Sequence, residues 1–257
     1  MSFAFAAEKD LPALTALWQV CFGDAPAESC PFLTHSDIRV FAAYAGSSPV
    51  SMLCALPAVL VDDCGDERPC AYLYAVCTHP DFRGRGLSSG LLAYAEQALR
   101  KLGFVCTALA PAEPALFSFY QKNGYEPVFY QKKYTVQAAG AADIRPIDAA
   151  GYRALRELQL YDSFVSFDGR MLALLPSRWR VETAQTVCCA AGAAENGILI
   201  LQELLPDDPA AAAALAARLG CRSAVVQTAG DARPFGMAKA LDASALPERA
   251  YLGVSFA

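Results

Sequence analysis

The sequence is poor in the side chains that metal chemistry needs. Its 257 residues include two histidines, His35 and His79, and none of its ten cysteines are spaced as Cys-x-x-Cys. Zinc-ligand spacing is therefore absent, and no metal is expected. Most of the cysteines (Cys54, Cys77, Cys106, Cys188, Cys189, Cys221) fall in apolar, strand-like stretches, where a reduced thiol acts as a small hydrophobe. Cys77 is the one whose position would make reactivity matter. Basic charge is also scarce, with 21 Lys and Arg against 26 Asp and Glu and a net charge of −5. Nucleic acid needs a basic face, so it is not expected as a partner. The longest apolar candidate, Val50 to Val61, is broken by Pro57 and falls short of the roughly 20 residues a bilayer requires. The opening "MSFAFAAEKDL" has no basic n-region, so it does not read as a secretory signal. The expectation is a soluble, cytoplasmic protein with no membrane partner.

What is present is apolar. Hydrophobic residues make up 55% of the chain, enough to build one large core or two modest ones. The N-terminus reads as a short strand and then a helix, with Asp10 as cap, Pro12 in the first turn, and Leu11, Leu14, Trp18 and Cys21 at helical spacing. "VFAAYAGSSPVSMLCALPAVLV" reads as a hairpin turning at Gly46-Ser47-Ser48. "PCAYLYAVCTH" is apolar on both faces, which predicts a central strand covered on two sides. A helix follows, with Leu87, Leu91, Ala95, Ala98, Leu99 and Leu102 on one face and Gly103 just past its end. "FVCTALAP" is a buried strand, "AEPALFSFYQKNGY" a short helix and "EPVFYQKKYTV" a further strand.

"QAAGAAD", residues 137–143, is small and featureless and reads as a linker, which divides the chain into residues 1–138 and 139–257. Beyond it "RVETAQTVCCAA" and "AYLGVSFA" read as apolar strands. The order strand, Pro-Asp, helix, Leu-Gly, strand at residues 71–110 recurs in "ILILQELLPDDPAAAAALAARLGCRSAVVQT". The glycine-arginine loop of the first half is missing from the second.

That loop, "HPDFRGRGLSSGLL", sets two arginines and two glycines between a strand and a helix. The first helical amides lack intrahelical partners and the helix dipole favours an anion there. Gly84 and Gly86 let a ligand approach bare backbone, and Arg83 and Arg85 add positive charge. The pattern suits a pyrophosphate. A Walker loop is excluded because no lysine lies between Gly84 and Gly90. A dinucleotide fingerprint would need glycine where Ser89 stands, and no acidic residue ends the next strand to hold a ribose.

The remaining pattern, Arg/Gln-x-x-Gly-x-Gly/Ala, is met by Arg83, Gly86 and, with a change, Ser88. Here the sequence resembles the GNAT superfamily of acyl-CoA-dependent N-acyltransferases, and "FSFYQKNGYEP" is similar to that family's closing aromatic-Tyr-x-x-x-Gly-aromatic element. The resemblance covers residues 1–137 in order. It implies an α/β fold with a mixed sheet, followed by a smaller, degenerate GNAT-like α/β half. It further implies two adjacent parallel strands that splay apart to admit the pantetheine arm of acetyl-CoA. By position, Val76, Cys77 and Thr78 would offer backbone to that arm. Arg83, Gly84, Arg85, Gly86, Leu87 and Ser88 would hold the pyrophosphate. The family often carries an Asn after the following strand, and "APAEPA" has none. Tyr120 matches the family's tyrosine, which implies a general acid for the departing thiolate. Direct acetyl transfer to a primary amine of a small molecule or peptide follows as the expected activity.

The base is less clear. Two-residue steps back from Val76 place Tyr74 and Tyr72, not a carboxylate, on the same strand face. Both tyrosines are candidates for an acceptor pocket or for packing. Water, Glu113 or a group from the second half are candidates for the base. In Eis-type tandem relatives the chain terminus enters the site, which makes the Ala257 carboxylate a further candidate. His79 precedes Pro80 and reads as a turn residue. Asp62, Asp63, Asp66 and Glu67 read as a solvated turn that could attract a cation. The alternative to an enzyme is an acyl-CoA-binding sensor or scaffold that keeps the groove without turnover. A homodimer is the default assembly.

Overall fold

The computed structural model describes residues 1–23 and 26–256. The elements run β1 (Ser2–Phe5), α1 (Leu11–Phe22), α2 (Pro26–Thr34), β2 (Arg39–Ala45), β3 (Ser48–Val61), β4 (Glu67–Thr78), α3 (Leu87–Lys101), β5 (Cys106–Leu109) and α4 (Leu116–Lys122). They continue with β6 (Glu126–Gln137), β7 (Asp143–Pro146), α5 (Ala149–Glu157), β8 (Phe164–Ser166), α6 (Gly169–Leu172), β9 (Arg178–Glu182), β10 (Val187–Glu195), β11 (Ile198–Leu205), α7 (Pro209–Arg218) and β12 (Ser223–Ala240). Among the described residues no helix is long and apolar enough to cross a membrane.

The chain forms two compact units that alternate along the sequence. The first comprises Met1–Ala58, Arg68–Glu126 and Met237–Leu246, and the second Val59–Glu67, Pro127–Gly236 and Pro247–Ala257. The stretch expected as a linker lies inside the second unit, where the Ala138 and Ala139 amides donate to the carbonyls of Arg222 and Ala213. From Pro127 onward β6 also belongs there, while Met237–Leu246, from the far end of the sequence, belongs to the first unit.

In the first unit the antiparallel run β1-β2-β3 leads to β4, which lies parallel to β5, and β5 pairs antiparallel with the last residues of β12. Gly46, at φ +64°, turns the β2–β3 hairpin where the sequence predicts. The apolar stripe of α3 (Leu87, Leu91, Leu92, Ala95, Leu99) is buried, and most of it packs with Phe41, Leu53, Ala71 and Leu73 of the sheet. Each large buried side chain contributes about 1.5–3 kcal/mol. Leu102, expected on that stripe, is exposed because the helix has ended before it. Asp10 does not cap α1 with its side chain. Its carboxylate accepts the Ala7 amide at 2.9 Å and the Tyr44 hydroxyl at 2.8 Å, and those bonds hold its carboxyl below the usual range.

In the second unit β11, α7 and the start of β12 form a parallel β-α-β crossover, the same arrangement as β4, α3 and β5. β10 and β9 extend the sheet antiparallel to β7, and Val181, Leu201, Leu204, Leu215 and Val226 lie in its core. "RVETAQTVCCAA" is two strands and not one. Thr183 Oγ1 accepts the Gln185 and Thr186 amides, a local turn that needs neither Gly nor Pro. "AYLGVSFA" makes only isolated bridges at Ala250 and Tyr251, because Gly253 at φ +75° ends any extended run.

Candidate active site

The β4–β5 ladder holds only from Cys70↔Cys106 to Tyr72↔Ala108, yet β4 runs on to Thr78. Beyond the last rung Ala75 sits at φ +52°, in the left-handed region that a residue with a Cβ rarely adopts. Such strain typically costs about 1–3 kcal/mol and persists where the surroundings impose it. The result is a fork between two parallel strands, with Val76, Cys77 and Thr78 on the stretch of β4 that β5 no longer pairs.

The loop after β4 is a built turn. His79 Nδ1 accepts the Asp81 amide at 3.3 Å, as its place before Pro80 suggests, and Arg85 Nη2 donates to the Asp81 carbonyl at 3.0 Å with its guanidinium over the Phe82 ring. Arg83 Nε donates to the Thr78 carbonyl at 3.2 Å. Gly84 and Gly86 lie at φ +73° and +72°, and an added Cβ would meet no heavy atom within 4 Å at either, so backbone conformation and not crowding calls for glycine. Gly86 is also the N-cap of α3 and brings no side chain to its first amides. The matching helix of the second unit differs here. Asp208 Oδ1 accepts the Ala210 and Ala211 amides at 2.9 and 3.2 Å, so α7 already has its anion. Only α3 of this pair offers uncapped amides with arginines beside them, as a pyrophosphate requires.

Ser88 stands where the motif has Gly or Ala, and its hydroxyl is engaged. Ser51 Oγ donates to the Cys77 carbonyl at 2.7 Å and lies 2.8 Å from Thr78 Oγ1, which is 2.7 Å from Ser88 Oγ. Each hydroxyl has one proton, so Thr78 donates to Ser51 and Ser88 to Thr78. The Ser88 proton is directed to β4 and not to a phosphate. Its amide, and that of Leu87, whose side chain is buried in the core, are what this turn offers an anion.

The Cys77 thiol is buried. Its contact with Cys21 and its burial push it well above the usual range, while the Cys77 thiol and Arg83 bring Cys21 down to about 7. The two residues are distant in sequence, and nothing local announces the pair. Ser51 is a lone hydroxyl within the apolar "PVSMLCAL", and that is the sign it leaves in the sequence.

Tyr120, on α4, is 6% exposed, and among the described residues its hydroxyl makes no hydrogen bond. Its ring meets Phe119 and Tyr125 edge-on at 5.1 and 5.8 Å. Burial pushes the phenol up to about 12, so it stays protonated. It lies within electrostatic reach of Tyr72, the residue on the last rung of the fork. Tyr72 and Tyr74 do share a face, stacked at 6.5 Å, but Tyr74 packs on Phe32 at 4.8 Å and Trp18 at 5.8 Å, in an aromatic cluster with α1 and α2. Glu113 is exposed in the turn before α4, and Ala257 lies outside the described residues. The acidic run is an exposed turn closed by Asp62 Oδ1 on the Cys64 and Asp66 amides.

A family described as "Acetyltransferase (GNAT) domain" matches residues 3–128. No curated protein matches the chain in sequence. Among solved structures, the fold is similar to that of a probable N-acyltransferase from Enterococcus faecalis V583, with a TM-score of 0.70 and 17% identity over 93% of this chain and 72% of that one. It is similar to Eis1 from Mycobacterium abscessus, at TM-score 0.65 and 14% identity over 94% and 74% of the two chains. A tandem GNAT protein from the clavulanic acid biosynthesis pathway aligns over 95% of this chain and 99% of its own, at TM-score 0.59 and 11% identity. The forked strands, the glycine-bent turn and the family match agree, and residues 3–128 are a GNAT acetyltransferase domain.

Proposed function

We propose that this protein transfers an acetyl group from acetyl-CoA directly to a primary amine in a ternary complex, with Tyr120 as general acid. Acetyl-CoA supplies the acyl group as an activated thioester. The amides from Arg83 to Ser88 and the guanidinium groups of Arg83 and Arg85 hold its pyrophosphate. The stretch of β4 past the fork, Val76 to Thr78, offers backbone groups to the pantetheine arm on the side that β5 has left. Tyr120 donates its proton to the departing sulfur, and a phenol kept neutral by burial is suited to that task. With aromatic residues on the β4 face, the amine's proton leaves through water.

The observation that carries this reading is the fork after the Tyr72–Ala108 rung, with a buried phenol within electrostatic reach of it whose hydroxyl makes no hydrogen bond among the described residues. The lack of a carboxylate on that strand face is what favours the second reading, a sensor of acyl-CoA. Thiol release measured with a panel of primary amines separates the two. Release that depends on the amine supports transfer, whereas tight CoA binding with no amine-dependent release supports sensing.

A further inference from the structure

We propose that Lys239 and Glu96 are positioning residues for Tyr120, so that a side chain from the far end of the sequence sets the geometry of the α4 helix. Lys239 lies on the part of β12 that pairs with β5, in register with Thr107. Its Nζ donates to Glu96 Oε2 at 2.5 Å and to the Asn123 carbonyl at 2.8 Å. The Asn123 carbonyl is at the C-terminal end of α4, where carbonyls lack intrahelical donors. Gly124, at φ +85°, leaves room for the lysine stem: a Cβ there would lie 3.3 Å from Lys239 Cε.

Glu96 comes from α3 and is 8% exposed. Its other oxygen, Oε1, accepts the Tyr125 hydroxyl at 3.0 Å, and Tyr125 Oη accepts from Thr107 Oγ1 at 3.1 Å. The Tyr125 amide in turn donates to the Tyr120 carbonyl at 3.1 Å. One closed set of bonds thus ties α3, β5, β12 and the last turn of α4, and Tyr120 is in that turn. Removing the lysine leaves a nearly buried carboxylate and a helix-end carbonyl without their cation, and the turn is free to tilt. Misplacing a reacting group by about 1 Å can lower a rate on the order of 100-fold. Residues 1–138 alone lack this lysine and are incomplete as a catalyst.

The inference rests on the general-acid role of Tyr120, and the test separates the two. Lys239→Met and Lys239→Arg are made in the full chain, with 3-fluorotyrosine placed at position 120 or, as a control, at position 44. Lys239→Met is expected to lower kcat about tenfold or more with KM for acetyl-CoA unchanged, and to move the fluorine resonance at 120 but not at 44. Lys239→Arg, which keeps the charge and the donors, restores most of kcat. An unmoved resonance at 120 in Lys239→Met overturns the proposal whatever the rate does. A moved resonance with full activity in both Lys239→Met and Tyr120→Phe upholds the positioning and overturns the general-acid reading. Should Lys239→Met not fold, Glu96→Gln carries the same readouts, with the same resonance shift expected and the same unmoved resonance as the refuting result.

Discussion

Replacing Tyr120 with Phe removes one oxygen and nothing else. The ring keeps its burial and its edge contacts with Phe119 and Tyr125. Since the hydroxyl bonds to no described residue, its loss leaves no orphaned partner, and stability is expected to change by less than about 0.5 kcal/mol. For a chain of this size that is a Tm shift of no more than about 2 °C. Catalysis should respond very differently. A placed proton donor typically contributes 10²–10⁴-fold, or about 2.7–5.4 kcal/mol at roughly 1.36 kcal/mol per decade. The assay follows CoA thiol release at saturating acetyl-CoA, beside a thermal melt of the same samples. The pH dependence carries a second signature. Because burial raises the phenol to about 12, the donor stays protonated, and wild-type kcat should show no falling limb from this group below about pH 11. The stability linkage has a matching sign. The neutral phenol is favoured in the fold, so stability is flat below the unfolded value near 10 and declines as pH rises from there toward 12. A kcat within threefold of wild type, or a large fall in Tm, would refute the assignment.

Arg83→Met should weaken CoA binding about 10–100-fold, one or two charge-assisted bonds, while leaving the affinity for an acyl-pantetheine without the pyrophosphate unchanged. Equal losses for both ligands in titration calorimetry would contradict the role given to Arg83. Cys21 should be alkylated half-maximally near pH 7, with the titration moving upward in Arg83→Met and Cys21 protected by bound CoA. A midpoint near 9 would mean that neither Cys77 nor Arg83 stabilises the thiolate. In the second unit, Arg156 and Glu203 are 1% and 0% exposed, and Arg156 also donates to the Val165 and Leu252 carbonyls at 2.9 and 3.2 Å. Arg156→Met leaves Glu203 buried and uncompensated, for a loss of about 3–5 kcal/mol, and an unchanged denaturant midpoint would rule this out.

The glycine-arginine loop was legible in the sequence because its signal is local. Glycines at 84 and 86 are required by positive φ, and the strand before and helix after them show in the hydrophobic period. The hairpin at Gly46 and the Tyr120 helix were legible for the same reason. What stayed hidden is non-local. Nothing in "EPVFYQKKYTV" says that β6 leaves the first unit, and nothing in "FGMAKALDA" says that β12 ends against β5. Lys239 is a lone cation in that stretch, and nothing beside it in the sequence points to α4. The Ser51–Thr78–Ser88 chain depends on three segments meeting at the end of β4, and the Cys21–Cys77 contact on α1 meeting that strand. The C-terminal segment reads as a strand because it is apolar, but isolated bridges at Ala250 and Tyr251 and the bond from Arg156 to the Leu252 carbonyl hold it instead of a ladder.

The most direct test of the account is a titration of the isotope-labelled full chain with CoA, read through backbone amide spectra. The account predicts that the amides of Arg83 through Ser88 and of Val76 to Thr78 move together, saturably, while those of Ala210 and Ala211 stay in place. Unmoved loop amides at saturating CoA, or shifts confined to the second unit, would contradict it.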